Sequence, residues 1–221
     1  MPINRPYRGP DELPALIPLF PLDGALLLPR CQLPLNIFEP RYLAMVDDAL
    51  KGERLVGMVQ PDPDANTVAV PSLADVGCVG RITEVAESGD GRYLMNLTGV
   101  ARFRIVRELG VLTPYRQAQV VYAFADDFVP NTGADAVDRT GLLRTFAEYL
   151  KARNLEADWE SVNEAPNEAL VNGLSMMAPF GPREKQALLE AADLKTRAEI
   201  LVAVTEMALA RTTGEGEGPL Q

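Results

Sequence analysis

The chain has 221 residues, enough to bury a real core, and its 47% apolar and 24% charged residues are ordinary for a soluble globular protein. Its net charge is −10, and residues 126–221 carry 17 of the 31 acidic groups against 9 of the 21 basic ones, an imbalance that repels phosphate backbones. It contains no histidine, which excludes Ser-His and Cys-His nucleophilic catalysis, His-ligated zinc and the usual general base near neutral pH.

Residues 1–12 hold three prolines and a glycine among polar groups and are expected to form a flexible arm. From Leu13 to Phe38, short apolar runs are broken by Pro14, Pro18, Pro21, Pro29 and Pro34, a density that suits short edge strands at the rim of a barrel. Asp23-Gly24 supplies a turn between two of them. Leu33, Leu35 and Ile37 then alternate with Pro34, Asn36 and Phe38, the period of a strand with one face in a core. Pro40 ends that strand and suits the first turn of a helix over residues 40–50, where Tyr42, Met45, Val46 and Ala49 form an apolar stripe. Glu39 stands at the positive end of this helix. Gly52 closes the helix, Arg54 to Gln60 reads as a strand, and Asp62 to Asn66 reads as a loop. The clearest β signals follow: Val76 to Glu87 and Arg92 to Ala101 flank the hairpin connection Ser88-Gly-Asp-Gly91. Phe103, Ile105 and Val106 continue the sheet, and Tyr115 to Phe124 alternates again. Six or so short strands with one inserted helix predict a small barrel or pseudo-barrel over residues 13–125.

Composition shifts at Asp126. Residues 126–133 read as a linker, and residues 134–211 read as helical throughout, so the fold class is α+β, a β pseudo-barrel followed by an α-helical bundle. Leu142, Leu143, Phe146 and Leu150 make one helical stripe. Asn167 is expected to cap the next helix, which Ala178-Pro179 stops; Pro182 opens another, and Asp193 caps the last. Residues 212–221 are expected to be disordered. The N-terminus lacks the apolar core of a signal peptide, and no stretch approaches the ~18 apolar residues a membrane span needs. Cys31 and Cys78 form no paired metal-ligand spacing and read as free thiols of a cytoplasmic protein.

Three groups of residues invite a chemical reading. Asp62-x-Asp64-x-Asn66 opens like a calcium loop, but Thr67 stands where glycine is required and Leu73 where a bidentate glutamate is required, so no metal is expected. Arg102 and Arg104 alternate with Phe103 and Ile105, which places two guanidinium groups on one sheet face, with Arg81 as a possible third member. Such a face either docks an anion or is a solvated surface paired with Glu84 or Glu87. The strand–helix joint Phe38, Glu39, Arg41, Tyr42 has two readings as well. Arg41 and Glu39 brace the corner, or Phe38 and Tyr42 line a groove for an extended peptide held partly by a sheet edge.

Leu16-Ile-Pro-Leu-Phe-Pro-Leu22, Leu26-Leu-Leu-Pro29, Leu33-Pro-Leu-Asn-Ile-Phe-Glu-Pro-Arg-Tyr42, Val76-Gly-Cys-Val-Gly-Arg-Ile82 and Leu97-Thr-Gly-Val-Ala-Arg-Phe-Arg-Ile105 occur in the order of a known family. Together they resemble the N-terminal substrate-binding domain of Lon proteases over residues 13 to 210, in its stand-alone bacterial branch, and more distantly the corresponding region of cereblon. Family members often have Gly at the position of Arg30 and His at that of Asn36. The resemblance implies a PUA-like barrel and recognition of unfolded polypeptide or a partner protein. Lon itself is an ATP-dependent protease with a Ser-Lys dyad. This chain has no G-x-x-x-x-G-K-[ST] loop and only four lysines, and Ser175 falls inside a helical pattern. The expectation is therefore polypeptide recognition without catalysis or cofactor, through Phe38, Glu39, Arg41 and Tyr42. The alternative is a small-ligand or RNA-binding module using Arg81, Arg102 and Arg104; its aromatic content of 6% offers few stacking platforms for nucleic acid.

Overall fold

A computed structural model of the chain describes residues 5–62 and 71–214, with side chains through residue 211. Six strands and six α-helices make a mixed α+β structure. The strands are β1 (Leu16–Pro21), β2 (Gln32–Ile37), β3 (Leu55–Val59), β4 (Val76–Ser88), β5 (Arg92–Glu108) and β6 (Gln117–Val121). They lie in the order β2-β5-β4-β3-β1-β6, and β6 pairs back onto β5. The sheet thus closes on itself through β1, β3, β4, β5 and β6, leaving β2 as an extra strand.

The length of β5 makes this possible. Its second half, Arg104 to Glu108, carries β6, while its first half, Tyr93 to Thr98, carries β2. β4 accompanies β5 along most of its course, with irregularities at Val79/Gly80 and Ile82/Glu84 that bend the hairpin out of the barrel. All pairings are antiparallel except β1 with β3, whose crossover contains β2 and the helix α1 (Pro40–Lys51). Phe103 and Ile105, expected merely to continue the sheet, belong to the same strand as Arg92.

Alternation sorts the apolar residues into two cores. Ile17, Leu19, Leu55, Val79, Phe103 and Val120 fill the barrel. Phe103 leaves so little room that a Cβ on Gly77 would lie 2.4 Å from its ring. The second cluster starts on the outside of the barrel with Phe20, Leu27 and Met45 and runs without a break into Leu142, Leu170, Leu188 and Leu201. The barrel and the helices therefore share one apolar core. Gly99 is a point of contact where the β1–β2 connection crosses β5: a Cβ there would sit 2.1 Å from the Leu28 carbonyl oxygen. Gly99→Ala is expected to cost about 3 kcal/mol in urea unfolding, because backbone rather than a flexible side chain blocks the methyl.

The helices after the barrel are α2 (Arg139–Ala152), α3 (Trp159–Glu164), α4 (Asn167–Met177), α5 (Pro182–Glu190) and α6 (Leu194–Gly214), with α2, α4 and α5 all packed on α6. Asp138 and Asp158 cap α2 and α3 by accepting from Gly141 N–H and Ser161 N–H, and Asp193 accepts from Thr196 N–H at the start of α6. Pro182 occupies the first turn of α5, as its fixed φ predicts. Asn167 differs from expectation: Pro166 holds the cap position, and the Asn167 side chain donates to Ala134 O and accepts from Arg139. The last helix runs to Gly214 rather than stopping at residue 211. The expected tail beyond it, the first four residues of the arm, and Asp64 and Asn66 of the calcium-like loop lie outside the described residues.

Candidate functional site

β2, the first half of β5 and the end of β4 form a three-stranded arm with two unlike faces. Leu33, Leu35, Ile37, Tyr93, Met95 and Leu97 point inward and join the shared core with α1, and the Tyr93 hydroxyl donates to Asp47 of that helix at 2.9 Å. The opposite face carries the other register: Asn36, Leu94 and Ala86 stand abreast, and so do Pro34, Asn96 and Glu84. This outer face holds a shallow groove of about 490 Å³ lined by Pro34, Asn36, Glu84, Ala86, Leu94 and Asn96, among others. Leu94, which lines it, is 52% exposed, and Phe38, the residue after β2, is 60% exposed, large apolar areas to leave in water. Leu94 has a sequence signal of its own: it is an apolar residue in the polar phase of an alternating strand. β2 pairs only with β5, so among the described residues its other edge is unpaired.

The four residues of the strand–helix joint separate. Phe38 remains on the surface, with the Arg92 guanidinium 5.8 Å from its ring. Glu39 and Arg41 pair with each other at 2.7 Å, the bracing arrangement, and the Arg41 guanidinium covers the Tyr42 ring at 4.5 Å. Tyr42 is buried in the core, 4.4 Å from Phe20 between ring centres, so it does not line a groove. Burial raises its hydroxyl pKa.

The three arginines separate too. Arg102 does not share an open face with Arg104: it is 2% exposed and grips Asp127 with Nε and Nη2 at 2.9–3.1 Å. Its Nη1 donates to the carbonyls of Leu189 and Ala191 at the end of α5, and its guanidinium lies 4.0 Å from the Phe124 ring. The expected solvated register fails here because the helical half covers this part of β5. Arg104 is exposed beside the same ring, 5.4 Å away. Arg81 is half-buried on the outer face of β4 and stacks on Tyr7 at 4.4 Å.

Residues 16–205 match the family model for the ATP-dependent protease La (LON) substrate-binding domain. The chain belongs to this family. It is 31% identical over 211 residues to Lon protease 2 of Sorangium cellulosum and 27% identical over 197 residues to Lon protease 2 of Myxococcus xanthus, matches that take in 92% and 87% of this chain. They cover 26% and 24% of those proteins, so the chain spans about a quarter of the length of these relatives. Among solved structures, it resembles the Lon N-terminal domain protein of Xanthomonas campestris with a TM-score of 0.56, 25% identity and coverage of 85% of this chain and 97% of that one. It also resembles the N-terminal domain of the Mycobacterium avium complex Lon protease, with a TM-score of 0.63, 18% identity and coverage of 86% and 98%.

In this Lon substrate-binding domain, residues 126–133 are more than a linker. Asp127 is buried and holds Arg102, while its carbonyl accepts from Arg30 Nη1. Arg30 continues to Glu168 of α4, whose other carboxylate oxygen accepts from Asn131 N–H. Arg30 sits at φ 66°, in the left-handed region that favours glycine; its side-chain contacts across to α4 offset the backbone cost of about 1 kcal/mol. Arg197 donates to Leu188 O and Asn172 at the back of the same contact. Apart from Arg197 with Leu188, nine residues apart, these pairings join residues at least 25 positions apart and have no local sequence signal.

Of the two thiols, Cys31 is partly buried and Cys78 buried. Burial pushes the Cys31 thiol up to about 11 and the Cys78 thiol higher still, with the Asp127 charge adding to the latter, so both are protonated near neutral pH. The buried Ser175 hydroxyl donates to Val171 O at 2.7 Å inside α4. Among the described residues no group of three or more Cys, Asp or Glu is placed to hold a metal ion, and no helix is long and apolar enough to cross a membrane.

Proposed function

We propose that this chain recognises extended polypeptide without cleaving it, in the cytoplasm, and that its architecture is a PUA-like pseudo-barrel followed by a helical bundle. The observation that carries the reading is the outer face of the arm, where a groove floored by Leu94 lies on β2, β5 and β4, with Phe38 exposed just past β2 and the other edge of β2 unpaired among the described residues. An extended ligand gains main-chain hydrogen bonds from such an edge and side-chain contacts from the groove, a combination that tolerates many sequences. Membership of a family described as substrate-binding supports the same reading. The raised thiol pKa values and the helical Ser175 favour binding over covalent chemistry. Unfolded polypeptide, rather than nucleic acid, is the expected partner: Arg102 is taken up by Asp127, and the chain is acidic overall.

The test is retention of reduced, carboxymethylated α-lactalbumin on immobilised protein, beside a folded protein of matched charge. Selective retention of the unfolded chain, recovered at intact mass, is the expected result. Equal retention of the two proteins would refute the reading.

A further inference from the structure

The outer face of the arm does not stop at the apolar groove. Two residues beyond Asn96 on the same face of β5 stands Thr98, opposite Arg81 and beside Thr83, and these three residues line a second pocket of about 300 Å³. Its walls differ in character from those of the groove. Tyr7, Val100 and Phe128 supply apolar surface, while Arg81, Thr83 and Thr98 supply polar groups; the two hydroxyls bond each other at 3.1 Å, and Thr83 Oγ1 also lies within donating reach of Asn96 O. Tyr7 brings the N-terminal arm onto the barrel here, so the described part of that arm is docked.

The charges around this pocket leave one of its cations available. Arg30 also lines it but is paired with Glu168, and Asp127 is held on both oxygens by Arg102. Glu84, one of the two carboxylates expected to pair with the arginine face, accepts from Asn96 at 2.6 Å. Among the described residues Arg81 has no carboxylate within 4.0 Å; its contact is the Tyr7 ring, which fixes the guanidinium plane and leaves its N–H edges to bond an anion. One uncompensated guanidinium beside a threonine pair that can spare one hydroxyl proton, with apolar walls, suits a single carboxylate attached to an apolar group. A phosphate dianion would bring a second charge against Asp127 and a chain of net charge −10.

We infer that this pocket captures the C-terminal carboxylate of a polypeptide, with Arg81 as the anchor and the preceding residues laid along the groove past Thr98, Asn96 and Leu94. The inference rests on the polypeptide reading and adds a polarity to it. From Leu94 to Thr98 an extended strand advances about 13 Å, room for roughly four ligand residues between the groove floor and the anchor. An apolar last side chain then meets Tyr7, Val100 and Phe128.

Two fluorescein-labelled peptides of one sequence, ending in Ala-Leu, test this by anisotropy: one with a free carboxylate, one with a C-terminal amide. The free acid is expected to bind about tenfold more tightly. Arg81→Gln should bring it to the level of the amide, and Arg81→Lys, which keeps the charge without the fork, should restore part of the difference. Octanoate, a small apolar carboxylate, is expected to compete, and inorganic phosphate is not. Equal affinity for acid and amide overturns the anchor while leaving retention of α-lactalbumin, and so the polypeptide reading, intact. Displacement by phosphate in preference to octanoate overturns the carboxylate assignment. Octanoate binding that depends on Arg81, with neither peptide nor α-lactalbumin bound, keeps the carboxylate pocket, overturns its peptide assignment and makes a small organic acid its ligand. Failure of both peptides and octanoate to bind overturns the inference outright.

Discussion

Arg102→Met is expected to destabilise the protein by about 3–5 kcal/mol, because it leaves the Asp127 carboxylate buried without its counter-charge. Arg102 and Asp127 are 2% and 5% exposed, so water cannot replace the lost partner. The same substitution removes the donors that Leu189 O and Ala191 O now use, which unties β5 from the end of α5. For a chain of this size the loss corresponds to roughly 10 °C in Tm. Asp127→Leu alone should cost a similar amount by orphaning the arginine. The double substitution should cost well under the sum, since it removes both charges together. Urea unfolding of the three variants measures this; additive losses, or single variants within about 1 kcal/mol of the parent, would show that the pair does not hold the two halves together.

Phe38→Ser with Leu94→Thr is expected to weaken capture of unfolded polypeptide by roughly 30-fold with little change in stability. Both side chains are more than half exposed in the free protein, so trimming them removes little folded-state packing. Covering their exposed parts with a ligand is worth about 1 kcal/mol each, and the two together about 2 kcal/mol. Threonine keeps the strand preference at residue 94, and the buried face of Met95 and Leu97 is untouched. Titration of the double variant against carboxymethylated α-lactalbumin gives the answer. Unchanged affinity would remove the groove from the binding surface and shift attention to another face of the molecule.

The two predictions draw on residues of different legibility. Alternation in Leu33 to Ile37 and Arg92 to Ala101, and the stripe Tyr42, Met45, Val46, Ala49, are local patterns, and each element formed where its pattern lay. Phe38 stood out as well, through its position at the joint. Tyr42 was misplaced because a stripe shows that a residue faces something apolar, without showing whether that is core or ligand. Leu94 was passed over for the opposite reason: within a run of apolar residues, the one facing outward is distinguishable only by phase.

The arginines show where local reading fails. Arg102, Arg104 and Arg81 are alike as isolated residues, yet one is buried against Asp127, one is exposed beside Phe124, and one stacks on Tyr7 with its edges free. Secondary structure, family membership and the absence of histidine chemistry were determined by the sequence by itself, because they depend on residue type and on spacings of a few residues. The fate of each charge and the residues that line the groove and the pocket were decided only by the tertiary structure. Burial of Arg102 requires α5 to arrive more than eighty residues later in the chain, and an ion's free energy depends on which surfaces close around it, a property of packing that no short window of sequence contains.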